Sequence, residues 1–232
     1  MPPDQDDLKR ACAEAALARV ESGMVLGLGT GSTVSHLLDL LGAALREERL
    51  AGVVGVPTSR RTEEHARAMG IPLIGLGERT VQLTIDGADE VDPHLDLIKG
   101  MGGALLREKM VAQASDRLLI IADDSKMVER LGSKSALPIE VIEWGAEAHV
   151  RFLEDRGASV EVRTGADGTP ARSDNGHLLL DCSFAGGIPD PPRLEDELRA
   201  RSGVVESGLF IGLADEVLLA GAGGVRSMRR RG

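Results

Sequence analysis

Tyrosine is absent from this chain, tryptophan occurs once (Trp144) and phenylalanine three times (Phe152, Phe184, Phe210). Stacking of nucleobases on aromatic side chains is therefore not a principal binding mode. Cysteine is scarce too: Cys12 and Cys182 stand far apart with no Cys-x-x-Cys or Cys/His spacing. That excludes a disulfide framework and a structural zinc site, and fits a reducing cytoplasm. No run of about 18 apolar residues occurs, and the acidic N-terminus (Asp4, Asp6, Asp7) lacks the apolar core of a signal peptide, so neither membrane insertion nor export is expected. Positive charge is short as well, with 27 Lys and Arg against 37 Asp and Glu and a formal net charge of -10. Such a balance argues against nucleic acid as a partner, because phosphate backbones are met by clustered cations. The one basic cluster, Arg226, Arg229, Arg230 and Arg231, falls at the C-terminus and reads as a solvated end.

What is present is a chain of 232 residues, 42% hydrophobic, able to bury the core of one large domain or two smaller ones. Residues 8–20 carry an apolar helical stripe with alanine filler, which Asp6 or Asp7 can cap. Strand patterns at 24–29, 53–56, 72–74, 81–85 and 118–122 alternate with helical patterns at 34–48, 61–69 and 105–114. The alternation predicts an α/β fold: a parallel sheet covered on both faces, with ligands at the carboxyl ends of its strands. After Leu131 the rhythm changes to strand 139–142, helix 146–155, strands 159–163 and 177–182, helix 193–200 and strand 204–205. This β-α-β-β-α-β order is the split pattern of a ferredoxin-like α+β domain. A last strand at 216–220 returns to the first sheet, so the expected division is 1–131 plus 211–232 for the sheet domain and 132–210 for the inserted one. Trp144 reads as a packing residue of the small domain.

Three constellations carry chemistry. Gly27-Leu28-Gly29-Thr30-Gly31-Ser32-Thr33 follows a strand and opens a helix, exposing backbone N–H groups where a phosphate can be held, with the Thr30, Ser32 and Thr33 hydroxyls as further donors. A dinucleotide fingerprint needs a glycine where Ser32 stands and an acid near the end of the next strand, where Val56-Pro57-Thr58 stands instead. A monophosphate therefore fits better than a nicotinamide cofactor. Asp86, Asp89 and Glu90 surround Gly87-Ala88 directly behind a buried strand. A single turn would bring Asp86 and Asp89 to one side, where repulsion favours sharing a proton. The alternatives are a capped turn that uses them on backbone donors, or a metal site, for which the segment offers too few oxygens. In the third, Gly100, Gly102 and Gly103 let backbone approach a ligand, Lys99 brings a positive charge, and Glu108 follows on a helix between Arg107 and Lys109. Lysine occurs only at 9, 99, 109, 126 and 134, and Lys126 follows another sheet strand toward the same crevice. His36, His65, His94, His149 and His177 have no ligand spacing and read as structural or exposed.

These segments, together with Ile121-Ala122-Asp123-Asp124-Ser125-Lys126, Leu137-Pro138-Ile139-Glu140-Val141-Ile142, Ser173-Asp174-Asn175-Gly176 and Gly203-Val204-Val205-Glu206-Ser207-Gly208-Leu209-Phe210, resemble the type A ribose-5-phosphate isomerases in order over nearly the whole chain. The resemblance implies a Rossmann-like parallel sheet domain with an inserted ferredoxin-like domain. It implies a homodimer or homotetramer without cofactor or metal, whose partner is a small sugar phosphate, with no nucleic acid and no membrane. The implied activity interconverts ribose 5-phosphate and ribulose 5-phosphate in the non-oxidative pentose phosphate pathway. Carried over residue by residue, it makes Glu108 the base, with Asp86, Asp89 and Lys99 also catalytic. Thr30, Gly31, Ser32, Thr33, Asp86, Gly87, Ala88, Asp89, Lys99, Gly100, Met101, Gly102 and Lys126 become substrate-binding. Met101 departs from the pattern by standing where glycine is usual, and a side chain there demands negative φ. A non-catalytic sugar-phosphate sensor on the same fold would keep the phosphate loop without needing Asp86, Lys99 and Glu108 together, and no DNA-binding helical module accompanies the chain.

Overall fold

The structure, a computed structural model, describes residues 4–230; Arg231 lies outside them. In chain order the elements are α1 (Gln5–Leu17), β1 (Val25–Leu28), α2 (Ser32–Arg46), β2 (Val54–Pro57), α3 (Arg60–Ala68), β3 (Leu83–Asp86), β4 (Glu90–Val91), β5 (Leu97–Ile98), α4 (Leu105–Gln113) and β6 (Leu118–Asp123). A single 3-10 turn (Asp124–Lys126) leads on to β7 (Leu137–Val141), α5 (Ala146–Glu154), β8 (Ala158–Val162), β9 (Leu178–Phe184), α6 (Pro191–Arg199), β10 (Val204–Ser207), β11 (Leu209–Phe210), β12 (Glu216–Gly221) and β13 (Gly224–Arg229). The described residues fall into two units: 4–88, 107–126 and 213–230, and 89–106 and 127–212.

The first unit is built on a sheet ordered β13-β12-β6-β3-β1-β2, parallel except for its antiparallel edge β13. Its inner strands β1, β3 and β6 are buried along their whole length, as a parallel sheet covered by helices requires. Cys12, Ala13 and Ala16 of α1 and Val34, Leu37, Leu38 and Leu41 of α2 pack with Leu26, Leu28, Ile85, Leu119, Ile121 and Leu218. Val111 of α4 packs with Val25, Val56 and Val81 in a separate cluster. Asp6 and Asp7 do not cap α1, whose cap position is Asp4 without a side-chain bond among the described residues; they lie in its first turn, where their charge favours the helix start, and at α3 the Ser59 side chain accepts from the Thr62 N–H. The strand expected at 72–74 is reduced to one parallel bridge, Leu73 to Gly55. Pro72 has no N–H to give, and the Gly75 N–H turns to the Glu78 carboxylate. Counting that bridge, the parallel order reads 3-2-1-4-5-6, the doubly wound arrangement. The C-terminal arginines Arg226, Arg229 and Arg230 are exposed, as expected of a solvated cluster, and Arg226 and Arg229 are carried on strand β13.

In the second unit β7, α5, β8, β9, α6 and β10 form the split pattern, and the sheet order β10-β7-β9-β8 is antiparallel throughout. Leu137, Ile139 and Val141 of β7 and Leu178, Leu180 and Cys182 of β9 pack with Leu153 of α5 and Leu194 and Leu198 of α6. The Asp190 side chain accepts from the Arg193 N–H, and Pro191 opens α6 where its missing N–H costs nothing. Trp144, expected to pack within this unit, is 88% exposed.

This unit also contains residues 89–106, which the order of elements had grouped with the sheet domain. The cause is Glu90, fully buried, whose carboxylate accepts the N–H groups of Gly132 (2.6 Å), Lys134 (2.7 Å) and Ser135. Alongside it β4 pairs with β5 and β5 with β11, a three-stranded sheet too short in each strand to be read from periodicity. Glu90→Ala is expected to lower stability by about 3 kcal/mol or more, since three backbone donors lose their acceptor at about 1 to 3 kcal/mol each where they are buried. Urea unfolding of the variant beside the parent checks this.

Candidate active site

β1 and β3 are neighbours in the first unit, but the chain leaves β1 for β2 on one side, whereas β6 flanks β3 on the other. Loops that diverge at such a switch point leave a crevice at the carboxyl ends of the strands. The loop after β1 begins at Gly29, whose N–H donates to the Ile85 carbonyl (3.0 Å). A Cβ on Gly29 would run into the Asp86 carboxylate and the Asp86 Cα. That space lets Oδ1 of Asp86, only 1% exposed, accept the N–H groups of Thr30 (3.0 Å) and Gly87 (2.7 Å). One carboxylate thus ties the end of β3 to the loop after β1.

α2 starts immediately after. Gly31 precedes it at φ 134°, no side chain caps it among the described residues, and Ser32 is exposed with Thr33 half-buried. An uncapped helix start of this kind offers N–H groups and the positive dipole end to an anion. The Thr30 hydroxyl was expected to add a donor here. It faces inward, against the hydroxyls of Thr58 (2.8 Å), Ser59 (2.8 Å) and Thr62 (3.0 Å), and Thr62 in turn donates to the Gly29 carbonyl (2.8 Å). This buried hydroxyl cluster fixes the loop and escaped sequence reading, because a Ser-x-x-Thr helix cap signals nothing about a loop about 30 residues away.

Glu108 lies in the first turn of α4 at 4% exposure, which removes the reading of a solvated residue between Arg107 and Lys109. Lys126 ends the 3-10 turn after β6, the strand beside β3, half-buried. That turn is capped by Asp123, whose Oδ1 accepts the Ser125 N–H (3.1 Å) and the Ser125 hydroxyl.

The second unit holds Asp89, Lys99 and residues 100–102. Between β3 and β4 the chain runs without a helical turn, so the single turn expected to pair Asp86 with Asp89 is not formed. Asp89 accepts the Met101 N–H through Oδ2 (3.0 Å), and Glu90 serves the fold as described. Lys99 is 2% exposed; its N–H donates to the Gly208 carbonyl (2.9 Å), and its Nζ stands 5.5 Å from the centre of the Phe210 ring, within cation–π range. Met101 is not among the residues with positive φ; the left-handed positions fall on Gly100 (φ 103°) and Gly103 (φ 79°), so the loop accepts a side chain at 101 with Met101 exposed.

The histidines take part in neither segment. His36 meets Asp6 (3.1 Å), His65 meets Asp39 (2.7 Å) and His177 meets Glu140 (2.7 Å). His149 accepts from Arg201 (3.0 Å), and burial first, then that guanidinium, holds its pKa below the usual range. Among the described residues no group of three or more His, Cys, Asp or Glu is arranged to hold a metal ion, and no helix is long and apolar enough to cross a membrane.

By its sheet order, and by an uncapped helix start beside a clamped aspartate, the first unit is of the doubly wound α/β class that holds phosphorylated ligands at a switch point. The family described as ribose 5-phosphate isomerase A (phosphoriboisomerase A) matches residues 54–224. The ribose-5-phosphate isomerase A of Chloroflexus aurantiacus is 52% identical over 94% of this chain and 91% of its own length. The probable ribose-5-phosphate isomerase 3, chloroplastic, of Arabidopsis thaliana is 45% identical over 97% and 84%. A solved D-ribose-5-phosphate isomerase in complex with phospho-erythronic acid superposes with a TM-score of 0.96 at 37% identity, covering 98% of this chain and all (100%) of that one. The ribose 5-phosphate isomerase A of Methanocaldococcus jannaschii gives 0.92 at 38%, covering 97% and 100%. The chain belongs to the ribose 5-phosphate isomerase A family.

Gly29→Ala is expected to push the Asp86 carboxylate from its two N–H donors and to destabilise the fold by about 2 kcal/mol or more, in the range of overpacked interiors. Thermal melts of the purified variant read this directly.

Proposed function

We propose that this chain interconverts ribose 5-phosphate and ribulose 5-phosphate, the reaction of its family in the pentose phosphate pathway, by proton transfer through an enediolate. The observation that carries the reading is the Glu108 carboxylate, held at 4% exposure on the first turn of α4. A carboxylate kept from water is a better base toward a weakly acidic C–H than a solvated one. Glu108 moves the proton between C1 and C2. Lys99 supplies positive charge to the enediolate oxygen, and one such preplaced donor is worth roughly 3 to 4 kcal/mol, about a hundred- to a thousandfold in rate.

Asp86, whose Oδ1 accepts the N–H groups of Thr30 and Gly87, relays the hydroxyl proton. Asp89 assists ring opening. The phosphate sits on the start of α2, where Gly31, Ser32 and Thr33 offer N–H groups and hydroxyls and Thr30 shapes the cradle; Lys126 adds a cation. Gly87, Ala88, Gly100, Met101 and Gly102 complete the substrate-binding segments. Holding the phosphate converts remote binding energy into alignment at the reacting carbons. No cofactor or metal enters this scheme. The family supports assembly as a homodimer or homotetramer, and the two free, buried cysteines support a reducing compartment, here the cytoplasm.

The test is incubation with ribose 5-phosphate in deuterated water with chelator present. Ketose forming with deuterium at the exchanging carbon is the expected result, and no ketose would remove the assignment. Glu108→Gln is expected to lower kcat by about 100- to 10,000-fold with KM little changed, because only proton transfer is lost. Ser32→Ala combined with Thr33→Ala is expected to raise KM most, and an unchanged KM would relocate the phosphate site.

A further inference from the structure

The loop that follows Lys99 is held from two directions within the second unit. On one side the Met101 N–H donates to Asp89 (3.0 Å). On the other, Nη1 of Arg163 donates to the carbonyls of Gly100 (3.2 Å) and Met101 (3.1 Å). Arg163 immediately follows β8, and its own N–H donates to the Leu179 carbonyl of β9 (2.8 Å). Its guanidinium is fixed by Asp181 on β9, with Nε to Oδ2 at 2.8 Å and Nη2 to Oδ1, a bidentate pair whose side chains are 15% and 22% exposed. Asp181 and Leu179 alternate with Leu178, Leu180 and Cys182, the β9 residues that pack with α5 and α6. The helix-free face of the sheet therefore carries the arginine that grips the loop.

We propose that Arg163 is a positioning residue for the isomerisation: anchored by Asp181, it sets the backbone of residues 100–101 and so the placement of the substrate segment beginning at Lys99. The inference rests on the proposed reaction and adds to it a residue that never touches substrate. A planar fork with its donors in fixed directions can satisfy both carboxylate oxygens and still cover two carbonyls, which an ammonium cannot. The geometry also accounts for a chain with Met at 101. Two carbonyls capped from one side and an N–H taken from the other hold the peptide by its backbone, so the side chain is free to point outward.

The experiment is steady-state isomerisation of ribose 5-phosphate by the parent, Arg163→Ala, Arg163→Lys and Asp181→Asn, with thermal melts of each and with guanidinium ion added at millimolar concentration. In Arg163→Ala, kcat is expected to fall by about 100-fold, the scale of a small misplacement at a reacting centre, with KM changed by less than about threefold. Arg163→Lys is expected to lose nearly as much, Asp181→Asn less, and guanidinium ion to restore part of kcat in Arg163→Ala alone. Turnover within twofold of the parent in folded Arg163→Ala overturns the inference, as does a loss that guanidinium does not relieve and that follows the drop in melting temperature across the variants. Should Arg163→Ala fail to fold, Arg163→Lys and Asp181→Asn decide by the same split of kcat from KM. A parent that does not isomerise the sugar phosphate defeats the proposed reaction itself, a result distinct from an active parent whose Arg163 variants match it.

Discussion

Oδ1 of Asp86 accepts the N–H groups of Thr30 and Gly87 from within the sheet, and room for it exists only because residue 29 has no side chain. The direction in which the chain leaves β1, and hence where the uncapped start of α2 points its N–H groups, follows from that bond pair. The hydroxyls of Thr58, Ser59 and Thr62 hold the same loop from its other side through Thr30. A buried carboxylate satisfied by backbone donors in this way is part of the fold, joining the end of one strand to the loop that follows its neighbour.

The same device recurs. Glu90 gathers the N–H groups of Gly132, Lys134 and Ser135, Asp89 takes that of Met101, and Asp123 takes that of Ser125. In each case an acid stands in for a secondary-structure partner that a glycine-rich or irregular segment lacks. A share of the acid excess over base is thus spoken for internally, by backbone amides rather than by cations.

The alternation of apolar runs with helical stripes made the parallel sheet legible, and the β-α-β-β-α-β rhythm after Leu131 made the small domain legible, because both are repeated local patterns. β4, β5 and β11 were not, since two residues carry no period. The attachment of residues 89–106 to the second unit was equally hidden, resting on Glu90 reaching a loop more than 40 residues on. At the site, Asp86 and Asp89 could be singled out by their place behind a strand, but reading them as a turn-built pair failed: no helical turn forms between them, and each carboxylate accepts from backbone N–H groups. The burial of Glu108 could not be read between Arg107 and Lys109, because helix exposure is decided by what packs on the face. The inward turn of the Thr30 hydroxyl and the grip of Arg163 are contacts between distant segments and left no local mark.

β13 is the outer strand of the six-stranded sheet, paired on one side only, with β12. Such a rim is an invitation to strand accretion and fibrillar aggregation unless its side chains forbid it. Arg226 and Arg229 place cationic groups along it, so two rims meeting would oppose like charges. The arginines of β13 are thus charge laid along an open sheet edge, the kind of side chain that disfavours edge-to-edge association.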